Sequence, residues 1–284
     1  MPSLDLDSAV GFGSAGLALV GAVASGLFSA RANKQAHELE KQARIETEVA
    51  QAERILEQYR DPLLDAAQTL QSRLYNIVEQ DYFGRYLRCG DADEERYARD
   101  YTLYAFAEYL CWAEVVRREL RFLDLGDLPR TRALLGHLAQ IQLTTQTDRV
   151  SSPFKIFRGR QRAIAELTMV PTGATSGPRT ECMGYATFSR RLHGDQEFGS
   201  WFARLDDDMP KVADAVASGD RAAMARLVRL QRDLVDMINF LDVAKVRIPE
   251  RHRQQLPSDP IVDAMPSAIE APAALALPRQ PAAP

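Results

Sequence analysis

The chain has 284 residues, 46% of them hydrophobic and 26% charged, enough for a sizeable core in one large domain or two small ones. Its net charge of −4 excludes the globally basic surface that nucleic-acid binding draws on. Three widely spaced cysteines, Cys89, Cys111 and Cys182, exclude a disulfide framework, fit no zinc site and suit a reducing compartment.

Residues 9–22 read AVGFGSAGLALVGA, in which Gly11, Gly13 and Gly16 spell G-x-G-x-x-G. That fingerprint has meaning only between a buried strand and an amphipathic helix. Here Asp5 and Asp7 interrupt the preceding stretch, and the 23 residues Ser8 to Ala30 carry no charge. As a helix this run spans about 34 Å, against a hydrocarbon core of ~30 Å. A transmembrane helix over 9–30 is therefore expected. Acids precede the run, whereas Arg31 and Lys34 follow it. This asymmetry opposes a cleaved leader and places residues 1–8 outside the cell membrane, with the main domain cytoplasmic. Ser14, Ala18, Ala22 and Gly26 share one face at four-residue spacing, the pattern that lets two membrane helices approach closely.

A charged juxtamembrane helix follows over 31–60. Ile45, Val49, Ala52, Leu56 and Tyr59 form an a/d seam of about two heptads, a short coiled coil for self-association or a face docked on the protein's own bundle. Asp61 and Pro62 read as the cap and first residue of a new helix, with Leu63, Ala67, Leu70, Leu74 and Ile77 as its stripe. After a break at 89–91, a long helix is expected over about 93–123, closed by Gly126. Further helices are expected over about 130–145, after "DRVSSPF", and over about 220–242, the last with Met224, Leu227, Leu234, Ile238 and Leu241 on one seam. "PTGATSGP" reads as loop, and 182–205 is open between strand and helix. The bundle domain is set at 61–246. From Pro249 onward eight prolines lie among alanine and polar residues, so 247–284 is expected to be a disordered tail. The fold class is all-α: a transmembrane helix, a juxtamembrane helix and a cytoplasmic helical bundle.

The long helix gathers Tyr97, Tyr101, Tyr104, Cys111, Trp112, Val115 and Phe122 in one sector, and Glu108 and Glu119 fall in it too. A buried carboxylate has either a raised pKa and an acid–base role or a buried partner. An ion pair with Arg73 or Arg162 is the stronger expectation. About 16 Å of helix separates the two acids, too far for one reaction centre. The segment RVSSPFKIFRGRQR carries Arg149, Lys155, Arg158, Arg160 and Arg162 with no acid. At a helix start such a segment is a candidate site for an anionic ligand or lipid head group. His37, His137, His193 and His252 have no metal-ligand spacing, and neither a metal nor another cofactor is expected. No nucleophile elbow, Walker lysine motif or Cys-His signature is present. An interaction or scaffolding role is thus expected over an enzyme of unrecognised type. The expected partners are a lipid bilayer, a second copy of the chain and a protein partner whose identity the sequence withholds.

The segments YRDPLL, LQSRLYNI, RRELRFLDLG, FKIFRGRQRAIAE and ECMGYATF together resemble an uncharacterised family of membrane-anchored helical proteins. The resemblance covers roughly residues 59–242. It implies that these segments belong to one domain and carries over no activity.

Overall fold

A computed structural model of the chain describes residues 7–120, 129–173 and 180–268, with side chains described from residue 34 onward except at 48, 52 and 56. The chain divides into two compact units, residues 1–51 and 52–284. The first unit is helical from Asp7, within α1 (Asp7–Glu79). Among the described residues no helix is long and apolar enough to cross a membrane. The side chains of the uncharged 9–30 run, including the Ser14, Ala18, Ala22 and Gly26 face, lie outside the described residues, as do Phe122 and Gly126.

In the second unit, α1 continues through Pro62 without a break, which corrects the expected helix start at Asp61. Proline removes one helical N–H and crowds the preceding turn. That local penalty is offset because the next turns carry Leu63, Leu64, Ala66, Ala67, Leu70, Leu74 and Ile77, all buried. Asp61 does not cap. Its carboxylate pairs with Arg60 and Arg247, and these contacts, chiefly Arg247, hold it below the usual carboxylate range. Tyr59 lies in the same core with its ring 6.3 Å from Trp112. Of the expected 45–59 seam, Ile45 is exposed, and Ala52 and Leu56 have no described side chains.

A short helix α2 (Tyr82–Tyr86) and a turn with Gly90 at φ 84° lead into α3 (Ala92–Leu120). Asp91 caps α3 by accepting from the backbone N–H groups of Asp93 and Glu94. From Ala98 to Val116 nearly every α3 residue is buried, because helices pack on several of its sides: α5 (Arg158–Thr168), α6 (Tyr185–Gly194) and α8 (Ala203–Ser218). Helix α4 (Pro129–Gln146) pairs with α9 (Arg221–Leu241). Leu227, Leu234, Ile238 and Leu241 of the expected α9 seam are buried, whereas Met224 is only partly so. The ambiguous 182–205 stretch splits. Cys182 ends strand β2 (Thr180–Cys182), paired antiparallel with β1 (Met169–Pro171), and α6 and α7 (Gln196–Ser200) follow.

Residues 247–268, expected to belong to the disordered tail, pack on the bundle. Leu256 and Val262 join Ala225 and Val228 in a small apolar cluster. Arg253 is buried and donates to Asp242 at 2.6 Å, to Asn239 at 3.0 Å and to the Ile248 carbonyl at 2.9 Å. The apolar anchors fix this segment despite its prolines, since a proline-rich chain can lie extended without needing its own ladder. Residues 269–284 of the expected tail lie outside the described residues.

Arg226 of α9 is 0% exposed. Its guanidinium donates to the carbonyls of Thr144 (2.7 Å), Thr147 (3.0 Å), Val150 (3.2 Å) and Pro153 (3.1 Å). Burial lowers its pKa to about 10, which leaves it charged at neutral pH. Each buried carbonyl left without a donor costs roughly 1–3 kcal/mol. Arg226→Met is therefore expected to lower unfolding free energy by about 3 kcal/mol or more in a urea titration, while Arg221→Met, on an exposed α9 site, should change it by less than about 1 kcal/mol.

Candidate functional site

The basic segment is placed by the loop that Arg226 gathers. Phe154 sits at φ 61° with its side chain fully buried, its ring 5.3 Å from Phe106. A left-handed phenylalanine is strained. It is held there because its N–H donates to the buried Asp208 carboxylate at 2.8 Å and its ring fills the core. Ile156 donates its N–H to the Thr145 carbonyl at 2.8 Å and is likewise buried.

The chain then surfaces. Phe157 is 52% exposed and precedes α5 in an extended conformation without any side-chain cap. The first amides of α5 are thus left to solvent or ligand. Arg149 and Arg158 are exposed and Arg160 partly so. These three form no ion pair among the described residues. Lys155 pairs with Asp148 and lies 4.4 Å from the Phe157 ring. Arg162 approaches Glu114 at 3.8 Å. The five cations therefore divide. Lys155 and Arg162 are engaged with acids, and Arg149, Arg158 and Arg160 remain available beside an exposed aromatic ring and an uncapped helix start.

The two carboxylates behave differently from one another. Glu108 is half-buried and accepts from the Tyr104 hydroxyl at 3.1 Å. Burial pushes its pKa up, opposed by the Tyr104 hydrogen bond and reinforced by Asp65. No arginine pairs with it among the described residues. Glu119 is part-exposed rather than buried, because it lies on the last turn of α3 beyond the packed stretch. The buried acid of this helix is Glu114, 4% exposed, which the aromatic sector did not single out. It accepts from Arg117 at 2.6 Å and Arg118 at 3.2 Å and faces Arg162. The expected ion pair with Arg162 thus exists, but on Glu114. Arg73, the other expected partner, lies among tyrosines instead.

A further polar cluster had no signal in sequence spacing. Asp100 is buried, and it accepts from Ser189 Oγ at 2.6 Å and contacts His193 Nε2 at 2.8 Å. The serine bonds to the aspartate and not to the histidine, so this is not a nucleophile relay. It joins α6 to α3 across 93 residues, a separation no local motif reveals. Among the described residues no three His, Cys, Asp or Glu side chains converge as a metal site would require.

Glu108 supplies a pH test. Its folded pKa is raised above the 4.5 of the unfolded chain, so the folded state keeps its proton to higher pH, and stability falls as pH rises from 4.5 through the folded pKa. Glu108→Gln should match the parent below pH 4.5 and exceed it in urea midpoint at pH 7. Equal midpoints at pH 7 would show that the carboxylate is not held in an unfavourable environment. No protein-family model, no curated protein and no solved structure matches the chain.

Proposed function

We propose that the protein is a single-pass membrane-anchored helical protein whose bundle, residues 52–268, serves an interaction or scaffolding role at the cytoplasmic membrane surface. The observation that carries this reading is the uncharged run Ser8 to Ala30, preceded by Asp5 and Asp7 and followed by Arg31 and Lys34. A central charge in such a run would cost ~2.5–3.5 kcal/mol on insertion scales; this run has none. Support for an interaction role comes from the bundle itself. Its buried polar groups, Arg226, Arg253, Asp242, Gln231 and Asp233, are engaged in internal hydrogen bonds, as in a rigid platform.

A second reading is favoured by one observation. Arg149, Arg158 and Arg160 lack acidic partners among the described residues, beside the exposed Phe157 and the uncapped start of α5. That combination of cations, aromatic ring and free amides suits an anionic lipid head group, and it would add a peripheral contact to the anchor.

Membrane fractionation tests both readings. The full chain should stay in the pellet through alkaline carbonate and 0.5 M salt, while a variant comprising residues 34–284 should be soluble in 0.5 M salt. At low salt that shorter variant should retain binding to anionic vesicles, weakened about five-fold by each of Arg158→Ala and Arg160→Ala, from ~1 kcal/mol per basic residue near the surface. A full chain released by carbonate overturns the anchor. Vesicle binding unchanged in both arginine variants overturns the head-group contact.

A further inference from the structure

Three arginines are buried among the described residues: Arg73, Arg226 and Arg253. Two of them are saturated, Arg226 by backbone carbonyls and Arg253 by Asp242, Asn239 and a carbonyl. Arg73 is different. It is 7% exposed, its Nη1 has no hydrogen-bond partner, and it forms no ion pair among the described residues. Its guanidinium carbon instead lies 4.3 Å from the ring centroid of Tyr82, 4.9 Å from that of Tyr101 and 5.7 Å from that of Tyr97.

Ring faces attract a guanidinium, and the Tyr82 hydroxyl oxygen accepts one hydrogen bond from it, but Nη1 still lacks an acceptor. A buried cation with an N–H left unpaired and no counter-charge is costly, and a guanidinium has no neutral form to retreat to at ordinary pH. The missing element is an oxygen acceptor carrying negative charge. The side chains around Nη1 are of the kind that lines ligand sites, aromatic surface with few convergent donors. They are also reachable from outside. Tyr97 is 48% exposed and stacks on Tyr101 at 5.3 Å, while Tyr82, Tyr101 and Tyr185 are each partly exposed. Tyr185 closes the far side, with its ring edge-on to Tyr101 at 5.4 Å. Tyr97 is the most exposed of the three rings over the guanidinium, and rotamer motion is open to an exposed side chain.

We propose that Arg73, walled by Tyr82, Tyr97, Tyr101 and Tyr185, is a binding site for a small oxyanion, a carboxylate or phosphate group, that enters past Tyr97 and accepts from the free Nη1–H. This site lies on α1, α2, α3 and α6 and uses none of the cations of the 149–162 segment. It requires no membrane, so it stands apart from the anchor.

Thermal unfolding of the full chain in a non-ionic detergent, at constant ionic strength, tests it. The probes are benzoate and inorganic phosphate, with chloride as the reference. At ten times its Kd the oxyanion that fits should raise Tm by about 3–6 °C relative to chloride. Benzoate alone acting identifies a carboxylate ligand, and phosphate alone a phosphoryl one. Arg73→Met should abolish the shift, and without added oxyanion its Tm should equal or exceed that of the parent, because an unpaired buried charge has been removed. Arg158→Ala/Arg160→Ala should retain the shift. The proposal is overturned if neither probe shifts the parent chain, whatever the variants do. It is equally overturned if the shift survives Arg73→Met or vanishes in Arg158→Ala/Arg160→Ala. A fall of Tm by several degrees in Arg73→Met without oxyanion would also overturn it, since Arg73 would then be a structural clasp on the tyrosines.

Discussion

The bundle depends on one buried guanidinium. Arg226 reaches from α9 into the segment after α4 and collects carbonyls from Thr144 to Pro153. The Thr144 carbonyl is in the last turn of α4 and the others lie in the irregular chain after it, so none has a helical or sheet donor assured. A single planar donor with five N–H bonds satisfies several of them at once. Among the described residues no carboxylate pairs with the guanidinium; the carbonyl dipoles supply the negative potential. The loop is thereby tied to α9 through its carbonyls. Because it is fixed, Phe154 can hold a left-handed conformation in the core, Ile156 is buried after it, and α5 meets α3 at one place. The exposure of Phe157, Arg158 and Arg160 is a consequence of that geometry.

Other polar nodes extend the same logic around α9. Asp233 accepts from Arg229, Thr144 and Gln140, which ties α9 to α4. Gln231 joins Gln71 of α1 to the carbonyl of Gln254 and the amide of Leu256, so one buried amide links α1, α9 and the segment beyond it. Arg253 and Asp242 close the turn that leaves α9. Burial opposes ionisation of Asp242, yet backbone N–H groups of Ile248 and Val246 together with Arg253 hold its pKa below the usual value. Such satisfied networks make a stiff body suited to presenting surfaces rather than to large internal motion. Arg73 differs, since its buried Nη1 has no hydrogen-bond acceptor among the described residues.

The apolar stripes of α1 and α9 were legible because burial at helical spacing leaves a direct trace in sequence. So was the turn at Gly90 and Asp91, which local chemistry alone decides. Pro62 misled because its local preference is real but smaller than the burial of the leucines after it. Helix α8 went unread for a related reason: Pro210 lies inside it, and its register is set by packing on α2 and α9. The segment 247–268 looked disordered by composition, whereas a few anchors, Ile248, Leu256, Val262 and Met265, are enough to bind it to an existing surface. Glu119 was misassigned and Glu114 missed because angular position alone does not tell where along a helix its neighbours end. Glu114 lies within the packed stretch and Glu119 beyond it. Arg226 and Asp100 act through partners tens of residues away, and no spacing rule records such contacts.

The proposed anchor and the helical bundle make a combined claim about where the bundle resides, and Cys89 provides the probe. It is exposed on the bundle, whereas Cys111 is buried and Cys182 partly exposed, so in a Cys182→Ser background a membrane-impermeant maleimide has one readily reached thiol at a known place. Cys89 should be labelled in inverted membrane vesicles and protected in sealed cells, and Cys89→Ser should remove the labelling. Labelling of Cys89 from outside sealed cells, or its recovery only in a membrane-free fraction, would contradict a membrane-anchored, cytoplasmic bundle.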